Sequence, residues 1–145
     1  MLYMLGGLQI DTKRFSISGA SRSSTAELVE KQIVAAAPAY EFMGPGASDF
    51  ALTGQILPYH LGGLNELEVA HRMCSDGERF NVMRGDGVSL GHHCLTSVKE
   101  AHKEPSDQGV GFVVAHTLSL KKVQFSTEGA QSTVTSVLAL FDALR

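Results

Sequence analysis

The sequence predicts an α+β domain with a largely antiparallel sheet, and three observations carry that expectation. DFALTGQIL and GFVVAHTLSLKKVQF alternate apolar and polar residues with a period of two, as strands with one buried face do. GGLNELEVAHRMCSDGE instead places apolar residues at helical spacing between recognisable start and stop signals. The order is strands, one central helix, more strands and a terminal helix, rather than alternating βαβ units. The 145-residue length suits one such domain.

From the start, residues 1–17 read as short strand pieces broken at Gly6-Gly7 and near Thr12-Lys13. SGASRSSTAE, residues 18–27, reads as a small polar loop. LVEKQIVAAA fits two descriptions. Ser24 and Glu27 have the spacing of a capping box, and Leu28, Val29, Ile33 and Val34 fit a helical face. An extended reading sets Val29, Ile33 and Ala35 on one side; the residues alone slightly favour the helix. Tyr40 and Phe42 alternate in a short strand that should end at the turn Gly44-Pro45-Gly46. In DFALTGQIL, Phe50, Leu52 and Ile56 share one face while Ala51, Thr53, Gln55 and Leu57 share the other, and Pro58 ends the ladder.

For the central helix, Asn65 is the expected N-cap, with Glu66 and Glu68 near the positive end of the dipole and a Leu64–Val69 staple. Leu67, Ala70 and Cys74 form the expected buried stripe, and Gly77 the left-handed residue that closes the helix. Arg79 to Arg84 reads as a strand, Gly85-Asp86-Gly87 as a hairpin corner and Val88 to Val98 as the returning strand. A loop through HKEPSDQGVG leads to the strand 111–125, where Phe112, Val114, His116, Leu118 and Leu120 share a face. STEGAQST reads as a linker. Val134, Val137, Phe141 and Leu144 then fall at helical spacing in an amphipathic terminal helix.

Composition narrows the function. The net charge is -3 and the 12 basic residues form no run longer than Lys121-Lys122, which argues against non-specific nucleic-acid binding. No stretch approaches the roughly 18 apolar residues of a membrane span, and MLYMLGGLQI lacks the positive region of a signal peptide. Two cysteines make no disulfide framework.

RGDGVSLGHHCL, residues 84–95, holds the densest set of reactive side chains. His71 and Cys74 on the helix, with His92 and Cys94 on the strand, would bind zinc if the helix packed on that strand face. A small metal-dependent enzyme is therefore one alternative, although neither CxxC nor HExxH spacing occurs. Cys74 and Cys94 as small core residues is the better reading. His93 and Cys94 point to opposite faces and make no dyad, no GxSxG elbow is present, and His116 sits among apolar alternates as a core histidine would. Glycine pairs in GPG and GDG lack phosphate-loop spacing. RGD is explained by turn chemistry, so no catalytic residue and no cofactor is expected. A module that recognises another protein through the histidine hairpin is a further alternative.

MLYMLGGLQI, EFMGPG, FALTGQILP, GGLNELEVAHRM, FNVMRGDGVSLG and VVAHTLSLKKV occur in that order from Met1 to about Val123. In this combination the chain resembles the tail protein U (GpU, tail formation) family of contractile-tailed phages and prophages. The resemblance implies a structural protein without an active site, a β-barrel or sandwich like those of tail tube proteins with one helix at its side, and a homo-oligomeric, six-fold ring near the junction of tube and baseplate. Partners would be tail tube, hub or baseplate proteins, in the virion tail after assembly in the host cytoplasm, with neither membrane nor sequence-specific nucleic-acid binding. It divides the chain into a domain at 1–125 and a linker with terminal helix at 126–145. It favours an extended conformation for Ala26 to Ala37. The family tends to place aromatic or apolar residues where this chain has His92, His93 and Cys94, which weakens the metal alternative. Gly44, Pro45, Gly46, Arg84, Gly85, Asp86, Gly87, Val134, Val137 and Phe141 are the residues expected at turns or assembly contacts.

Overall fold

The structure is a computed structural model that describes residues 2–124. Seven strands and one helix follow in the order β1 (Tyr3–Leu5), β2 (Leu8–Ile10), β3 (Gly19–Lys31), β4 (Ala39–Ile56), α1 (Leu64–Asp76), β5 (Arg79–Arg84), β6 (Ser89–Pro105) and β7 (Gly111–Lys122). They form one sheet in the order β2-β1-β5-β6-β7-β4-β3. Every neighbouring pair is antiparallel.

The sheet curls strongly. Tyr3 on β1 and Phe50 on β4 lie four strand spacings apart in the sheet order, about 19 Å on a flat surface. Their ring centroids nevertheless stand 5.5 Å apart. The sheet therefore folds over its own core without a ladder between β2 and β3, and the expected closed barrel or two-sheet sandwich is corrected to an open, curled sheet. The buried interior takes Leu5 and Ile10 from the first hairpin, Phe50, Leu52 and Ile56 from β4, and Val114, Leu118 and Leu120 from β7. The alternation read in β4 and β7 thus marks the inner face, apart from Phe112, which is exposed where β7 begins.

Residues 11–18 bridge the open side. Asp11 Oδ1 accepts the N–H groups of Lys13 and Arg14, the Asp11 N–H donates to the Phe15 carbonyl, and the Ser18 N–H donates to the Thr53 carbonyl. Phe15 enters the core. Two glycines make room for this crossing: a Cβ at Gly54 would stand 2.0 Å from the Ser16 carbonyl oxygen, and one at Gly63 would stand 2.4 Å from that of Arg14.

α1 lies over the inner face of the sheet, against β6 and β2. Its buried residues are Leu67, Ala70 and Met73; Cys74 is half-buried beside them. The N-terminal expectation is corrected. Gly63, at φ 103°, occupies the cap position, no side chain caps the helix, and Asn65 lies inside it. Val69 is exposed, at odds with a tight staple. The C-terminal expectation holds: Gly77 is left-handed at φ 63°, its N–H donates to Cys74, and the Glu78 N–H donates to Met73, a Schellman arrangement.

Two further corrections concern β3 and β4. Of the expected loop, residues 19–27 belong to β3, and 28–31 are not helical but continue the same strand. Gly44-Pro45-Gly46 is not a turn but the bent middle of β4. Ala26 pairs with Pro45 and Glu27 with Gly44, with bulges on either side where β4 carries extra residues. Pro45 is tolerated there because β7 pairs with β4 only from Asp49 onward, so no partner needs its missing N–H. The chain reverses at residues 32–38 instead.

Candidate assembly surface

Because β7 stops pairing at Asp49, β3 and β4 run on together as a free two-stranded arm, from about Ser24 and Ser48 to Lys31 and Ala39. Eight residues of strand make the arm about 27 Å long. Thr25 Oγ1 donates to the Ala47 carbonyl at 2.7 Å near its foot, and Lys31 forms an ion pair with Glu41 near its tip. Partners in an antiparallel ladder share a face. Leu28 opposes Phe42 and Glu30 opposes Tyr40, so Leu28, Phe42 and Tyr40 line one side. Their exposures are 56%, 63% and 63%. Val29, Ile33 and Met43 are exposed too, and Val34 at the tip is 96% exposed.

The Gly85-Asp86-Gly87 corner lies at the same end of the sheet, beside the N-terminus of β1, where the Gly85 N–H donates to the Leu2 carbonyl. Arg84 and Val88 close the loop, and Gly87 takes φ 92°. Arg84 and Asp86 are bound to each other: Nε donates to both carboxylate oxygens at 3.0 Å and Nη2 donates to Oδ2 at 2.8 Å. Asp86 Oδ1 also accepts the Val88 N–H. These bonds hold the Asp86 carboxyl below its ordinary range and raise the Arg84 guanidinium. The RGD tripeptide is thus a self-satisfied turn.

The four residues considered for zinc do not meet. Glu100 pairs with the core residue His116 and Val98 with Leu118, so this part of β6 faces inward. His71 reaches that face: its Nε2 lies 3.5 Å from Glu100 Oε2. On the other side of the carboxylate, His102 Nε2 lies 3.7 Å from Oε1 while His102 Nδ1 accepts the Gly111 N–H. Cys94 pairs with the exposed Lys121 and shares the outer face with His92. The helix therefore packs on the wrong side of the sheet for the proposed set. Among the described residues, no three His, Cys, Asp or Glu side chains form a group able to hold a metal ion.

His93 and His116 are the buried histidines. His93 Nδ1 donates to the Gly91 carbonyl at 3.0 Å, and burial lowers its pKa. His116 stacks on Phe15 with centroids 4.5 Å apart. Its Nε2–H donates to the Ser16 carbonyl, which leaves Nδ1 buried without a partner, and burial lowers this pKa as well. His116 thus ties the crossing segment to β7, as a core histidine.

Of the expected assembly residues, Gly44, Pro45 and Gly46 shape the arm, and Arg84, Gly85, Asp86 and Gly87 form the corner beside it. Val134, Val137 and Phe141 lie outside the described residues. The sequence reading missed the arm's apolar face. Its signal was the Tyr40–Phe42 alternation opposite Leu28, which means nothing until the strands are paired.

Comparison with solved structures finds a similar fold in chains of gene transfer agent particles. A chain in the virion of a native gene transfer agent particle aligns with a TM-score of 0.50 at 20% identity, covering 75% of this chain and 81% of the other. A chain in the tail of an empty gene transfer agent particle with C6 symmetry aligns with a TM-score of 0.50 at 20% identity, covering 75% and 78%. A comparison with curated proteins finds no match. The sequence model of the Phage P2 GpU family matches residues 6–124, from the first glycine turn to the foot of the arm. The chain belongs to the Phage P2 GpU family, the tail-protein family its motifs resemble.

Proposed function

We propose that this chain is a structural subunit of a phage-type contractile tail. It would form a six-fold ring near the junction of tube and baseplate, in contact with tube, hub or baseplate proteins. The free β3–β4 arm carries this reading. Exposed apolar surface of this kind marks an interaction site, and an isolated two-stranded hairpin is at best marginally stable in water. β3 also has β4 on one side and no strand on the other among the described residues, so its open edge can accept a strand from a neighbour.

A heterologous contact, arm of one copy against the flank of the next, generates a closed ring when its rotation closes. The C6 symmetry of the similar gene transfer agent tail supports six copies. A net charge of -3 suits a subunit beside a DNA passage, which must not grip phosphate. The arrangement calls for no catalysis and no cofactor. Assembly in the host cytoplasm followed by residence in the virion tail fits this role. Among the described residues, no helix is long and apolar enough to cross a membrane.

The test is deletion of the gene in its phage or prophage, with electron microscopy of induced particles. Absent or aberrant tails, restored by the gene in trans, are the expected result. Normal infectious tails would overturn the reading.

A further inference from the structure

We propose that the arm of one subunit docks on the opposite end of the next subunit's sheet, where Tyr59, Leu61 and Phe112 form a second exposed apolar surface. This rests on the assembly role given to the arm above and names the surface that receives it. Among the described residues, the large apolar side chains that are exposed fall into these two groups, apart from Val69 on α1 and Val88 at the hairpin corner.

The far surface follows from how the strands end. β4 and β7 pair as far as Ile56 and Val114, so Phe112 lies past the end of that ladder and outside the core. The turn 57–62 closes on itself, with the Leu61 and Gly62 N–H groups donating to the Leu57 carbonyl. The Tyr59 ring packs against Phe112 with centroids 5.1 Å apart, and Tyr59 Oη shares a hydrogen bond with Ser106 Oγ at 2.6 Å. The turn and the β6–β7 hairpin thus hold each other, and the surface is formed before a partner arrives. Tyr59, Leu61 and Phe112 still leave nearly half of their area to solvent.

A second copy is the occupant that the geometry selects. β4 runs unbroken from Phe42 to Ile56, about 45 Å of strand. The arm continues that strand away from the far end, so a chain cannot lay its own arm on its own far surface. Arm against arm would close at two copies and leave the far surface bare; arm against far end is heterologous and repeats. Tyr40, Phe42, Tyr59 and Phe112 together expose about 400 Å². That is about a third of the roughly 1,200 Å² at which stable interfaces begin, and Leu28 and Leu61 enlarge this apolar centre. Charge orients the contact. Glu30 shares the apolar face of the arm, where the Gln32 amide donates to it. Lys13 and Arg14 are exposed next to Gly63, on the Leu61 side of the far surface, while Glu104 and Asp107 lie on its β6–β7 hairpin side. Glu30 therefore fits the Leu61 side.

Sedimentation velocity on mixed full-length variants tests this. The arm variant is Leu28→Ser, Phe42→Ser; the far-end variant is Leu61→Ser, Phe112→Ser. Each alone should stay monomeric at concentrations where the unchanged chain forms rings. Mixed one to one, they should form dimers and nothing larger, because one sound arm meets one sound far surface and the remaining pair is dead. Rings from the far-end variant would overturn the proposal and leave the assembly role of the arm standing; rings from the arm variant would overturn that role itself. Cross-linking gives an answer that does not depend on how the far-end variant folds. In a Cys74→Ser, Cys94→Ser background, Phe42→Cys and Leu61→Cys are placed on separate chains, mixed or co-expressed in induced particles, and joined with a short bismaleimide reagent. The mixture should give a product of double-chain mass that neither chain gives alone. No such product from the mixture, or double-chain product from Phe42→Cys alone, would overturn the proposal.

Discussion

Gly54 has no side chain because the crossing segment takes its space. A methyl group there would lie 2.0 Å from the Ser16 carbonyl oxygen and 2.9 Å from the Ile17 Cα, both backbone atoms that cannot turn aside. Gly54→Ala should cost about 2–3 kcal/mol through overpacking, read as a lower urea midpoint; an unchanged midpoint would show that residues 11–18 lift away freely. The buried histidines set a pH dependence, and His116 does so beside Gly54 itself. Burial lowers the pKa of His93 and His116 below that of an unfolded histidine, about 6.5. The folded chain then binds fewer protons than the unfolded chain once the pH drops under that value. Their contribution to stability is complete above about pH 6.5 and is lost as pH falls toward the folded pKa values. Guanidinium midpoints should therefore fall between pH 7.5 and 5.5, and His116→Gln should flatten that slope. A midpoint that rises on acidification would contradict the assignment of both histidines as buried and neutral.

At the scale of elements, strands with one buried face were legible and strands without one were not. Phe50, Leu52 and Ile56 alternate because Thr53 and Gln55 turn away from the core, and β7 reads as cleanly from Val114 to Leu120. β3 is half-buried only at its first residue and exposed beyond it, so its polar side chains follow no periodicity and look like a loop. In β6 the alternation was real but misleading. The bulge between Leu95 and Ser97 adds one residue, which moves Val98, Glu100 and His102 to the face of His93. The His71, Cys74, His92 and Cys94 set fails on a separate ground: His93 and Leu95 turn inward, which leaves His92 and Cys94 on the outer face, opposite the one α1 covers. The helix start failed for a related reason. Gly63 is required by its closeness to the Arg14 carbonyl, a tertiary constraint that outranks the local capping preference of Asn65. The corner at 84–88 was legible because its chemistry is local. Asp86→Lys should leave the monomer folded, since both charged side chains are exposed and Gly87 still makes the turn. It should also impair assembly, because the corner stands at the same end as the arm. Circular dichroism with sedimentation velocity checks both; a monomer that unfolds would show that the Arg84–Asp86 bonds are needed for the hairpin itself.

Across the whole molecule, stability and assembly are placed in different parts of one sheet. The core is closed by the curl of the sheet, by α1 and by the crossing segment, and its buried residues stop at Phe50 on β4. Everything beyond Asp49 toward the tip of the arm is exposed or half-exposed and contributes little to folding. Replacing Leu28 and Phe42 together by Ser should therefore barely change the thermal midpoint of the monomer, since exposed substitutions usually stay within about 0.5 kcal/mol. The same pair should abolish the oligomer, because an apolar anchor near the centre of an interface commonly costs about 2 kcal/mol or more when truncated, repeated at each contact around a ring. Sedimentation velocity at matched concentrations separates the two effects. Loss of the oligomer with an unchanged melt places the arm outside the folding core and inside the interface. Rings that persist would move the interface to another surface, and a monomer that melts early would mean that the arm, despite its exposure, belongs to the cooperative unit.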